Sequence, residues 1–465
     1  MGQKRILGVY ILITIFALLG AACDALISSP TATTETPSKA SPVYMPTPAV
    51  ILTPQSQDTP LETEIIVCEL DPEAISEMDE IEGQVRSLRG LQQIRPVDRE
   101  FLTQVQLRQR VIDDFLADFT QEEAFVDARA LALLGLLERD FDLWNFYADL
   151  FTEQVAGFYD DEVEEMTVIC GADFGGPERI TFAHEYTHAL QDQTYDLENG
   201  LGYNDDLCET DSERCAAIQA LIEGDATLLE EQWLRTYATR EDLTDLMEFL
   251  TSFESPVFDS APQFLRQNML FPYLAGLEFV NALYFDGGWA AVDAAYLNPP
   301  LSTEQILHPE RYPTDVPIWL EVPDLSTALS AEWREIDRGV LGEWDIQATL
   351  NEFLPKATAV DAAMGWGGDY YLAFYNEVQD IDAFVLVSQW DTMPDVHEFD
   401  AAFRDYADAR FGDRITTSSY SASWHGEIGY VILERRSNQA LWILAPDAET
   451  AQALRQAITF PAPQQ

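Results

Sequence analysis

The sequence predicts an α+β protein in two parts, a mostly helical body with an edge strand or hairpin and a smaller C-terminal α+β sandwich. Three observations predict it. Apolar residues recur at helical spacing from 72 to 158 and in further stretches between 216 and 296. An acidic turn and a β-like run, Met166 to Ile169, interrupt those helices. Beyond about residue 356 the pattern turns to short β-like runs with helices between and after them.

At the N-terminus, Lys4 and Arg5 precede an apolar run from Ile6 to Leu19, then small residues and Cys23. That order describes a secretory signal over residues 1–23 rather than a lasting membrane span. Leu19-Gly20-Ala21-Ala22-Cys23 is similar to a bacterial lipobox, with the leucine one place further from the cysteine than usual. Lipidation of Cys23 would anchor the protein to the outer face of the cell membrane; ordinary cleavage would release a soluble secreted chain instead. Residues 24–62, rich in Thr, Ser and Pro, cannot bury a core and read as a disordered tether.

Setting Cys23 aside, Cys68, Cys170, Cys208 and Cys215 form an even set outside the cytosol. Cys208 and Cys215 frame a short polar loop and are the local pair. Cys68 and Cys170 each end an apolar β-like run, so a bridge between neighbouring strands is expected, free thiols being the weaker reading for an exported chain.

The chain holds 26 basic and 81 acidic residues, a net charge of −55. That field excludes nucleic acid as a partner, because phosphate contact requires the opposite sign. With 47% hydrophobic residues the acidity does not signal disorder, and a solvated surface explains it more simply than a salty habitat or calcium sites.

The helical body is expected over residues 63–355. Thr120-Gln121-Glu122-Glu123 is a capping box opening an apolar-striped helix through Leu137, and Leu143 to Val155 continues at helical spacing. Gly157-Phe158-Tyr159 and Met166 to Ile169 flank the acidic turn as an edge strand or hairpin. Helices are expected again from Ala216 to Thr239, Ala261 to Tyr284 and Trp289 to Tyr296, with Pro272 breaking or kinking the second. In the C-terminal part, 356–465, strands are expected at Tyr370–Tyr375, Phe384–Trp390, Ser419–Trp424, Tyr430–Glu434 and Leu441–Ala445. Helices at Glu398–Phe411 and Glu449–Ile458 would lie on one face of an antiparallel sheet.

Between these parts lies the run Ala183-His184-Glu185-Tyr186-Thr187-His188. On a helix, residues four apart share a face, so the two imidazoles converge on one point, where they can hold a metal ion. Glu185 can then polarise a water held there. A catalytic zinc normally has three protein ligands and an open position. The best candidate for the third is Glu223, in Ala220-Leu221-Ile222-Glu223-Gly224-Asp225-Ala226, a carboxylate among apolar residues that a dication would satisfy. Asp225 is a candidate to accept from the outer nitrogen of a ligating histidine, although two positions from Glu223 it points to a different face. Asp192, four after His188, is the rival for either role.

HEYTH with a later Glu223 resembles the gluzincin zinc metallopeptidases. Further segments are similar to a group of uncharacterised exported bacterial proteins of metallopeptidase type. They are Gln154 to Asp160, His184 to Gln193, Glu223 to Ala226, Ser302 to Pro309, Gly365 to Asp369 and Trp390 to Thr392, a likeness spanning roughly residues 100 to 460. The gap between His188 and Glu223 is longer than in compact gluzincins. The resemblance implies a zincin-like domain in which His184, His188 and Glu223 hold Zn²⁺ and Glu185 acts as general base and proton shuttle. A further donor should stabilise the oxyanion; His308 and Tyr312 are the candidates, because a His or Tyr often fills this place in related enzymes. His308 could equally be a satisfied core residue, and His397 and His425 read as structural.

The expected activity is therefore zinc-dependent hydrolysis of a protein or peptide substrate outside the cytoplasm. The alternatives are a cell-surface binding lipoprotein on a zincin scaffold without useful turnover, and a zinc hydrolase of non-peptide amides.

Overall fold

The computed structural model describes residues 71–154, 157–170, 174–321 and 324–460. The signal segment, Cys23, the tether and the Cys68–Cys170 pairing lie outside the described residues. No helix of the described residues is long and apolar enough to cross a membrane.

The first half is built from α1 (Pro72–Arg89), β1 (Asp98–Thr103), α2 (Gln104–Asp118), α3 (Gln121–Leu134) and α4 (Leu143–Gln154). Asp71 caps α1 by accepting from the Glu73 amide, and Gly90, in the left-handed region, ends it. The capping box read at Thr120 is present, with Glu123 returning the bond. Strand β1 was not expected within this helical stretch. Its partner is β3 (Glu165–Cys170), which it joins in parallel, so its pairing is distant in sequence and leaves no local turn signal.

β2 (Gly157–Asp160) and β3 form the expected hairpin, and the sheet order β1-β3-β2 leaves β2 at an edge. Asp160 shapes the turn by accepting from the amides of Glu162 and Val163. The HEYTH residues then fall on α5 (Gly176–Tyr195). Nearly the whole of α5 is buried, its polar residues included, as for a helix enclosed by neighbours on every side.

There follow α6 (Asp205–Thr210), α7 (Ser212–Thr236), α8 (Arg240–Ser252), α9 (Pro256–Ser260), α10 (Gln263–Gly287), α11 (Trp289–Leu297) and α12 (Thr303–Leu307). The Cys208–Cys215 disulfide, with an S–S distance of 1.98 Å, joins α6 to the start of α7. Pro272 does not break α10: the helix continues through it, with Phe271, Pro272, Tyr273, Gly276, Phe279 and Val280 buried. A proline costs a helix interior about 3 kcal/mol, which burial of several large side chains offsets.

α10 crosses α7 at backbone distance. A Cβ on Gly224 would overlap the Gly276 carbonyl, and a Cβ on Gly276 would overlap the Ala220 carbonyl.

The C-terminal part comprises β4 (Trp333–Gly339), α13 (Gly342–Asn351), α14 (Lys356–Ala363), β5 (Trp366–Asn376), β6 (Ile381–Trp390), α15 (Met393–Phe411), β7 (Arg414–Thr417), β8 (Ser421–His425), β9 (Tyr430–Arg436), β10 (Gln439–Ala445) and α16 (Ala448–Ala457). The strands make one antiparallel sheet of order β4-β5-β6-β10-β9-β8-β7. β4 and β7 were not expected; both are edge strands whose charged or polar sequences lack the alternation of a half-buried strand. β4 also precedes residue 356.

Helices cover both faces of this sheet, not one. Phe399, Phe403 and Tyr406 of α15 pack with Phe384, Trp424 and Trp442. Ala451 and Leu454 of α16 pack with Val385, Leu441 and Ile443, the alternate side chains of the same strands. The α15 face continues without interruption into the helical body, where Leu134, Ile180, Tyr186 and Trp233 belong to the same core. A second tie is polar. Glu213, in the first turn of α7, accepts from the amide and hydroxyl of Thr303, at 2.6 and 2.8 Å, and lies against Gly342. Asp369 of β5 in turn accepts from the amides of Leu341 and Gly342.

Candidate metal centre

α5 places His184 and His188 one turn apart with ring centroids 4.7 Å apart. α7 lies across them and contributes two carboxylates seven residues apart, hence on one face. His184 Nε2 lies 3.3 Å from Glu223 Oε2, and His188 Nε2 lies 3.6 Å from the same oxygen. The three ligand atoms fall within 4.8 Å of one another. A tetrahedral zinc with bonds of about 2.0–2.2 Å sets its ligands about 3.3–3.6 Å apart, so two edges of this triangle match the ion. His184 Nδ1 meets Glu230 Oε2 at 3.1 Å. Seven residues after Glu223 is a legible spacing, yet Glu230 was not expected.

Glu185 stands beside the triad. Its Oε2 accepts from the Tyr159 amide of β2 at 2.9 Å, while Oε1 has no hydrogen-bond partner. One oxygen of Glu223 is likewise unpartnered. Burial opposes a charge on His184, but Glu223 and Glu230 outweigh it and raise its pKa to about 10. Burial pushes Glu185 up to about 7, against the pull of the two histidines. At Glu223 the histidines overcome burial and hold the carboxyl below its usual range, whereas burial dominates at Glu230 and raises it. Three carboxylates and two imidazoles enclosed together, with oxygens to spare, fit a divalent cation, which would supply the positive charge that buried carboxylates require.

Tyr273 is a further residue that sequence reasoning missed. Burial and the nearby Glu223 charge push its hydroxyl well above its usual pKa, and its ring centroid is 6.3 Å from that of His184. No local pattern marks it, because only the α7–α10 crossing brings it there.

The other expected residues are placed elsewhere. His308 Nε2 bonds Glu343 at 2.8 Å, and the Tyr312 hydroxyl donates to the Asn298 carbonyl at 2.6 Å, so neither bonds the triad. Asp192 stands outside the cluster of His184, His188 and Glu223: it accepts from the Tyr159 hydroxyl at 2.9 Å and so steadies β2. Asp225 does not touch a histidine. Gln191 stands between them, its Oε1 2.8 Å from His188 Nδ1 and its Nε2 3.0 Å from Asp225.

Fold and site together define an α+β protein with an enclosed His-His-Glu centre in its helical part. A family model described as a domain of unknown function, DUF8575, matches residues 330–455, which is the seven-stranded sheet with its helices and not the helices that carry the centre. No curated protein and no solved structure matches the chain.

Proposed function

We propose that this chain is a zinc-dependent peptidase acting outside the cytoplasm. The observation that carries the reading is the convergence of His184, His188 and Glu223 within 4.8 Å, with Glu185 alongside. Zinc held there would supply a Lewis acid that lowers the pKa of water and polarises an amide carbonyl. Glu185, fixed at one oxygen by Tyr159, keeps the other to take a proton from the attacking water and pass it to the leaving amine. Tyr273 is an O–H donor for the oxyanion. Edge strand β2, beside Glu185, offers a backbone against which an extended peptide could align.

Export as a lipoprotein rests on the N-terminal sequence, and the Cys208–Cys215 disulfide supports an oxidising compartment. One observation favours the second reading, a metal-holding surface protein without turnover. His184, His188, Glu185 and Glu223 are all 2% exposed or less, whereas turnover requires a substrate to reach the metal.

Metal analysis and peptide-library cleavage on the same purified samples separate the two. Equimolar zinc in the wild type, lost in His188→Ala, with cleavage in the wild type, supports the peptidase. Zinc without cleavage supports the second reading, and no zinc removes both. In an active enzyme Tyr273→Phe should keep zinc and lower kcat by about 10²–10³-fold with little change in KM. Unaltered kcat would exclude Tyr273 from the oxyanion role.

A further inference from the structure

The two histidines of the centre are held by different means. His184 meets a carboxylate directly. His188 meets a neutral amide, and what stands behind that amide decides how it is oriented.

Gln191 follows His188 by three residues, so both lie on one face of α5. Its Nε2 sits 3.0 Å from the Ile222 carbonyl and 3.0 Å from Asp225 Oδ2. A carbonyl can only accept. Asp225 is also confined to accepting, because donors surround it: Arg89 binds it through two nitrogens at 2.7 and 3.0 Å, and the Tyr296 hydroxyl donates at 2.9 Å. With two acceptors on that side, the NH₂ of Gln191 must face them and its oxygen must face His188. The proton on His188 therefore belongs on Nδ1, which leaves the lone pair of Nε2 toward Glu223.

Arg89 is the source of this polarity. It is the last residue of α1, 1% exposed, and its third nitrogen donates to Asp293 at 2.7 Å. The Trp289 ring lies 4.4 Å from its guanidinium carbon. A buried guanidinium can only donate, so Asp225 must accept from it, and the direction of every bond beyond it is fixed.

We propose that Arg89, Asp225 and Gln191 form a one-way hydrogen-bond relay that locks His188 in the Nδ1–H tautomer and so presets it as a metal ligand. The three are positioning residues: none of them lies within the triad itself. The relay bears on function through the zinc reading above, but the tautomer is a property of the metal-free protein and can be tested without it.

Two measurements on the purified chain test it, namely nitrogen-15 imidazole spectra of the zinc-free protein and zinc affinity by competition with a chelator. In the wild type, His188 should be a single Nδ1–H tautomer. Gln191→Leu should mix the tautomers and weaken zinc binding by about 10–100-fold. An Nε2–H tautomer in the wild type overturns the proposal, as does an unmixed tautomer in Gln191→Leu, even if zinc binding falls. A wild type that binds no zinc but shows the Nδ1–H tautomer, lost in Gln191→Leu, retains the relay and removes the metal reading instead.

Discussion

A Glu185→Gln chain should hold as much zinc as the wild type while cleaving peptides about 10²–10⁴-fold more slowly, the range a positioned general base contributes. The substitution keeps the shape of the side chain and its acceptor for the Tyr159 amide, so β2 stays in register with α5. What it removes is the second oxygen, the one with no hydrogen-bond partner. Burial already disfavours charge at this position, so the neutral amide should not destabilise the fold. Elemental analysis and a peptide-library assay on the same preparation decide the matter. Cleavage within tenfold of the wild type would show that another group takes the proton; loss of zinc would make Glu185 a ligand or a structural support.

Gly276→Ala should cost about 3 kcal/mol of stability and weaken zinc binding with it. The would-be methyl overlaps the Ala220 carbonyl, which is helix backbone and cannot rotate away. To accept it, α10 must move from α7, and that movement separates Tyr273 from Glu223, one turn along each helix. Gly83→Ala is the natural control. Gly83 lies in α1, where a Cβ would meet only the end of the Arg86 side chain at 3.9 Å, so the gain in helix propensity should stabilise by about 0.5–1 kcal/mol. Denaturant unfolding compares the two. Equal effects would mean that the crossing is looser than its backbone contact implies.

The features legible in the sequence were those that local periodicity or donor chemistry governs. His184 and His188 are set four apart by the helix that holds them, and Glu223 stood out as a carboxylate among apolar neighbours; all three meet. The hairpin of β2 and β3 was legible from its acidic turn. β1 was not, since its order comes from a parallel partner more than sixty residues away. Tyr273 depends on two glycines on different helices touching, which neither segment announces alone. His308 and Tyr312 were drawn from a motif whose residues bond Glu343 and Asn298 instead. Asp225 was one bond too far: the histidine partner is the intervening Gln191.

The sheet matched by the family model and the helices that carry the centre share one apolar core, and the Trp344 amide donates to Thr303 across them. For a gene, that means a stop codon near position 330 would not release a smaller folded protein. It would bare the face that Trp390, Trp424 and Trp442 help to cover, and cut the support beneath the helix that holds Glu223. The two halves are thus a single unit of inheritance, and a minimal version would have to shorten surface loops rather than remove either half.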